Sequence, residues 1–111
     1  MKKITVVTLF PSLIEGFLRQ GLLGQAVDRG LLDVRCLNPR DFTSDVHQSV
    51  DDRAFGGGDG MVMKVEPLAK AWESERAQDL DARLVVLSPQ GRIWKQSMAE
   101  AWAKDSRPIV M

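Results

Sequence analysis

Ile4-Thr5-Val6-Val7-Thr8-Leu9, closed by Phe10-Pro11, decides the fold. The run is nearly all apolar and rich in β-branched side chains, the pattern of a strand covered on both faces, as parallel sheets require. Pro11 breaks it, and Ser12 with Glu15 three positions later makes a capping box, which predicts a helix running to about Gln20, before Gly21. Leu13, Phe17 and Leu18 then share the buried side of that helix.

Further along, a shorter helix over about Gly24 to Arg29 stops at Gly30. Leu32-Asp33-Val34-Arg35-Cys36-Leu37 alternates apolar with charged residues, as a half-covered strand does, and Asn38-Pro39 ends it. A long polar connection follows. Pro67 suits the first turn of a helix on which Val65, Leu68, Ala69 and Trp72 recur at helical spacing down to about Ala77. Arg83-Leu84-Val85-Val86-Leu87 is a second buried strand, followed by the turn Ser88-Pro89-Gln90-Gly91 and a helix over about Gln96 to Lys104 with Met98 and Trp102 on its core side. Pro108-Ile109-Val110-Met111 looks like the opening of another strand. Without its partners that strand is expected to fray, to pair with another chain or to aggregate.

Strands alternating with helices imply right-handed βαβ crossovers: an α/β fold with a mainly parallel sheet and helices on both faces. Ligands then collect at the carboxyl ends of the strands. The sequence of 111 residues is expected to form a single α/β domain over 1–111, without internal repeats. Hydrophobic residues at 44% and charged residues at 27% are ordinary for a globular chain, and no apolar run approaches the length of a membrane span. No export signal is expected in the opening Met1-Lys2-Lys3 segment. The single cysteine, Cys36, reads as a small apolar residue and fits a reducing cytoplasm. With 15 basic and 15 acidic residues the net charge is zero, so nucleic-acid binding would depend on a local patch.

Two connections carry unusual chemistry. Asp51-Asp52-Arg53-Ala54-Phe55-Gly56-Gly57-Gly58-Asp59-Gly60-Met61 concentrates glycine, which is costly to order and suits close approach of backbone to a ligand or partner. It lacks the Gly-Lys-Ser/Thr of a phosphate-binding P-loop, and it does not lead straight from strand to helix as a dinucleotide fingerprint does. It reads either as a docking loop or as a surface turn. Asp51 and Asp52 are adjacent in an extended segment and point apart, which disfavours a paired-carboxylate centre. His47, the lone histidine, has no second histidine or cysteine spaced for zinc. Leu87-Ser88-Pro89-Gln90-Gly91 reads either as a simple helix-starting turn or as an apolar wall whose backbone groups face a nucleobase-like ligand. Arg40, Arg53, Lys64, Arg92 and Lys95 are spread over the loops of that side, as a phosphate patch or as solvated surface.

Thr8-Leu9-Phe10-Pro11, Asn38-Pro39-Arg40-Asp41-Phe42, Asp51-Asp52-Arg53 with Gly56-Gly57-Gly58-x-Gly60-Met61, and Leu87-Ser88-Pro89-Gln90-Gly91, in this order and spacing, resemble the N-terminal part of the bacterial tRNA (guanine-N1)-methyltransferases of the TrmD type. The resemblance implies a SPOUT-class α/β fold with a trefoil knot, a homodimer, and methyl transfer from S-adenosylmethionine to N1 of the guanine 3′ of the tRNA anticodon. It makes Leu87, Ser88 and Pro89 the first wall of the cofactor pocket. It makes the segment with Asp51, Arg53, Gly56, Gly57, Gly58, Gly60 and Met61 the part that approaches the target guanine and the partner subunit. Ala54 and Asp59, where the family has proline, and Phe55, where it has tyrosine, depart from the pattern.

By the same resemblance the knot is expected to be incomplete in this chain. A general-base aspartate and a C-terminal tRNA-binding domain are expected to lie outside it, so no catalytic residue is assigned within it. Magnesium is an additional candidate cofactor, with no metal ligand assigned. The expectation is therefore a methyltransferase fragment inactive alone, binding its donor at millimolar concentration or not at all. The competing readings are a non-catalytic module that binds RNA or a partner, and a small nucleotide-binding enzyme, which the missing glycine fingerprint after Leu9 disfavours.

Overall fold

The computed structural model describes residues 1–53 and 61–111, with Asp52, Arg53, Met61 and Val62 described as backbone alone. In chain order the elements are β1 (Lys2–Val7), α1 (Pro11–Phe17), α2 (Gly21–Asp28), β2 (Leu32–Leu37), a 3-10 turn (Pro39–Phe42), β3 (Asp51–Arg53), β4 (Met61–Met63), α3 (Val65–Gln78), β5 (Arg83–Leu84), α4 (Gln96–Lys104) and β6 (Ile109–Val110). Four strands form a parallel sheet in the order β2-β1-β6-β5, and β3 with β4 forms a separate antiparallel hairpin.

β1 and β2 pair along their whole length, Lys2 opposite Leu32 through Val7 opposite Leu37. Side chains alternate across the sheet, so Thr5 and Arg35 face α3, while Ile4 and Leu32 line a groove with Ala99 and Trp102 of α4. Helices therefore cover both faces, as the sequence predicts.

The last strand corrects one expectation. Ile109 and Val110 lie between β1 and β5, 4% and 1% exposed, in the middle of the sheet. Met111 N–H donates to Thr5 O at 2.9 Å, and Val7 N–H donates to Met111 O at 2.6 Å. The segment expected to fray is fully paired, because β1 and β5 leave a one-strand gap that only β6 fills. Conversely, β5 is shorter than expected. Val85 N–H still reaches Val110 O at 2.8 Å, but among the described residues β5 is an edge strand paired with β6 alone, and Val86 and Leu87 are 75% and 80% exposed.

The helices follow the predicted pattern with local differences. α1 starts at Pro11 without a side-chain cap, so the capping box of Ser12 and Glu15 does not form. Thr8 Oγ1 instead accepts from Phe10 N–H at 3.1 Å, turning the chain one step earlier. α1 ends at Phe17, not Gln20, and Gly21, with φ of 56°, opens α2 instead of closing α1. Leu13 and Phe17 are exposed, contrary to expectation, since no described element packs on that side of α1.

α2 ends as read. Gly30, at φ of 73°, donates to Val27 O and Leu31 donates to Ala26 O, the paired bonds of a Schellman cap. On α3 the buried positions are Pro67, Ala71 and Glu75, a stripe rotated from the predicted one, and Val65 faces solvent. A polar residue in that stripe is what the apolar periodicity could not show.

Candidate functional site

All four sheet strands end at one edge, so the connections after β1, β2 and β5 leave from the same side of the molecule. The connection after β2 is built by local polar groups. Asn38 Oδ1 accepts from Arg40 N–H at 3.0 Å, capping the 3-10 turn, and Thr43 Oγ1 donates to Arg40 O at 2.7 Å. The Asp45 carboxylate accepts from Ser49 N–H, and the Arg40 guanidinium donates to Gln48 O at 3.0 Å. Val50, 1% exposed, anchors the base of the hairpin, and Lys64 N–H donates to its carbonyl.

The long polar connection therefore contains β3 and β4. Asp51, half-buried, pairs with Met63, and Arg53 pairs with Met61. Gly56, Gly57, Gly58 and Gly60, with Ala54, Phe55 and Asp59, lie outside the described residues. His47 is exposed in the turn before the hairpin.

After β5, Ser88 organises its own turn. Its Oγ accepts from Gln90 N–H at 3.2 Å and its carbonyl accepts from Gly91 N–H at 3.0 Å. A Cβ on Gly91 would stand 3.2 Å from Ser88 O, so the residue type fits the tightness of this turn. Leu87, Ser88 and Pro89 are all exposed.

Leu87 lies on the rim of an apolar cavity of about 340 Å³, whose walls include Val85, Trp94, Trp102 and Met111. Trp94 meets Trp102 edge to face at 4.9 Å, and the Arg83 guanidinium lies over the same Trp102 ring, 4.9 Å from its centre. Trp94 is thus a wall of this cavity. Ser88 and Pro89 do not line it. The arrangement offers an exposed apolar surface beside a turn. Among the described residues no group of three or more His, Cys, Asp or Glu side chains is placed to hold a metal ion.

Two polar clusters escaped the sequence reading. Thr5 Oγ1 donates to Glu75 Oε2 at 3.0 Å and Arg35 pairs with the same oxygen at 2.7 Å, tying β1, β2 and α3 together. A threonine inside the decisive apolar strand was the one available signal. At the other end of α4, Lys2 Nζ donates to Asp105 O and Arg107 O at 2.6 and 2.7 Å, closing the helix. The Arg107 guanidinium bonds the Asp105 carboxylate and, with Arg83 beside it, holds that carboxyl well below the usual range. Burial, reinforced by Glu15, pushes the Cys36 thiol up, so Cys36 is a poor nucleophile at neutral pH.

A parallel α/β sheet with its unusual connections gathered at the carboxyl edge defines the class of sheet proteins that bind ligands at that edge. The family model for tRNA (Guanine-1)-methyltransferase TrmD matches residues 1–111, and the chain belongs to that family. A protein from Alcanivorax borkumensis named tRNA (guanine-N(1)-)-methyltransferase is 49% identical over 108 residues, covering 97% of this chain and 41% of the relative. A protein of the same name from Geobacter metallireducens is 43% identical over 109 residues, covering 98% of this chain and 44% of its own length. The crystal structure of tRNA (m1G37) methyltransferase from Aquifex aeolicus superposes with a TM-score of 0.85 at 27% identity, over 98% of this chain and 49% of that one. The chain thus spans less than half the length of these relatives.

Proposed function

We propose that this chain forms the N-terminal part of a methyltransferase that moves a methyl group from S-adenosylmethionine to N1 of the guanine 3′ of the tRNA anticodon. The observation that carries the proposal is the exposed Leu87 and the Ser88–Gly91 turn, set at the carboxyl edge of the parallel sheet in a chain of this family. Bound there, the donor supplies an electrophilic methyl on a sulfonium. Leu87 and Pro89 form the apolar wall that excludes water, and Ser88, engaged in its own turn, holds the wall in place. Asp51 and Arg53 flank the approach of the guanine, with Gly56, Gly57, Gly58, Gly60 and Met61 in the same segment. Methylating a ring nitrogen needs that nitrogen deprotonated and aligned with the methyl. No side chain of this chain is assigned the proton.

We assign the protein to the cytoplasm as a homodimer whose contact uses α1. Phe10, Leu13 and Phe17 are 63%, 70% and 67% exposed and follow one another along one side of the helix, an apolar surface of the kind that partners cover. Sedimentation equilibrium should show dimers that Phe17→Asp converts to monomers. A parent protein monomeric at high micromolar concentration would remove the dimer from the account.

The activity is tested with a chimera that joins this chain to the remaining length of the Alcanivorax relative. It should methylate unmodified tRNA at the guanine 3′ of the anticodon, located by nuclease digestion and mass spectrometry. Leu87→Asp in the chimera should lower kcat/KM by about a hundredfold, as losing a positioning contact does. A folded chimera without transfer, or one that methylates another position, contradicts the proposal.

A further inference from the structure

The turn that leads into the β3–β4 hairpin is held by hydrogen bonds more than by packing. Ser44, Asp45, Val46, His47 and Gln48 are all exposed, and a gap of about 50 Å³ lies between Thr43, Asp45 and Ser49 on one side and Lys64, Glu66 and Pro67 at the start of α3 on the other. Gln48, at φ of 49°, is the one non-glycine residue of positive φ among the described residues. A side chain disfavours that left-handed conformation, so neighbouring groups must hold it.

Arg40 is placed to do so. Its own backbone is fixed, since its N–H bonds Asn38 Oδ1, its carbonyl accepts from both the N–H and the hydroxyl of Thr43, and Pro39 before it is buried. From that base the guanidinium donates to Gln48 O at 3.0 Å, a bond that spans eight positions of the chain. Asp45 completes the turn, its carbonyl accepting from Gln48 N–H at 3.2 Å and its carboxylate from Ser49 N–H at 3.1 Å. Two residues past Gln48 the chain is buried at Val50, whose carbonyl takes Lys64 N–H, and β3 begins at Asp51. The place of Gln48 O therefore sets the direction in which the hairpin leaves.

We propose that Arg40 is a positioning residue for the target guanine: it does not meet the base, but by holding Gln48 in its left-handed turn it sets the hairpin that carries Asp51 and Arg53. This rests on the methyltransferase reading above. A hairpin already in place is competent before tRNA arrives. A loosened one must be ordered by tRNA itself, which raises KM for tRNA by the inverse of the competent fraction and leaves the methyl-donor side alone.

Arg40→Ala in the chimera should raise KM for tRNA about five- to tenfold, with kcat and KM for S-adenosylmethionine within about twofold of the parent. Adding Gln48→Gly, which removes the side chain that resists the turn, should recover at least about half of that loss. Amide exchange should be at least about fivefold faster at Ser49 and Lys64 in Arg40→Ala, while Thr8, bonded to Leu37 O in the sheet, keeps its rate. An arginine that met a tRNA phosphate instead would give no recovery with Gln48→Gly, and its loss would reduce the salt slope of tRNA binding by about one. That result overturns the proposal, as do a KM for tRNA that stays with the parent's, a change confined to kcat, or unchanged exchange at Ser49. A parent chimera that transfers no methyl refutes the function instead, and the exchange rates still decide whether Arg40 holds the turn.

Discussion

Asp105 shows how one side chain can set the acid response of the protein. Its carboxyl is held low first by the hydrogen bond from the Arg107 side chain, then by the Arg107 backbone N–H, with Arg83 adding charge. A group whose pKa is lower folded than unfolded contributes stability above its unfolded value, and that contribution is lost as pH falls through the folded value. For Asp105 the loss begins below about pH 4 and continues downward. Urea midpoints measured from neutral pH to strongly acid pH should therefore fall less steeply for Asp105→Asn than for the parent; parallel profiles would mean the pair contributes nothing. Glu75 is a different case. An ion pair with one partner half exposed is weak evidence for net stability, and its better use is to fix where α3 sits on the sheet.

At the scale of elements, β6 joins the two halves of the sheet. Ile109 pairs with Ile4 on one side and Arg83 on the other. Ile109→Ala should cost about 2–5 kcal/mol, the range for truncating a buried aliphatic side chain, read as a lower urea midpoint. A loss under about 0.5 kcal/mol, the size of a surface substitution, would show that β6 does not hold the sheet together. Gly24 marks another fixed contact, since a Cβ there would meet the Arg19 carbonyl carbon at 2.8 Å where α2 crosses the end of α1.

Much of this was legible in sequence. β2 and α4 fall on the expected residues because alternation and helical periodicity are local signals. The central place of β6 was not, because pairing partners are chosen by the whole sheet. The capping box of Ser12 and Glu15 failed because Thr8 had already turned the chain. Beside the candidate site the Ser88–Gly91 turn falls where its residue types place it, whereas the Thr5–Arg35–Glu75 cluster needs three elements to meet and leaves only an out-of-place threonine to read.

Over the whole molecule, apolar surface is distributed unevenly. Buried hydrophobic side chains among the described residues are few, namely Val50, Ala71, Ile109 and Val110. Large exposed ones gather on α1 and around the stretch of Val86, Leu87, Ile93 and Trp94. Patches of that kind mark contact with ligand or further protein surface, which is what a donor wall and a dimer face require. The central claim is that the turn after β5 forms the donor wall, and amide chemical shifts test it in the chimera, which supplies the rest of the pocket. S-adenosylhomocysteine, added to about 5 mM so that even a millimolar complex is populated, should move the amides of Leu87, Ser88, Gln90 and Gly91 while leaving Lys3, Asp33 and Glu75 in place. Unmoved signals from Leu87 to Gly91, with or without changes at the opposite edge of the sheet, would contradict it.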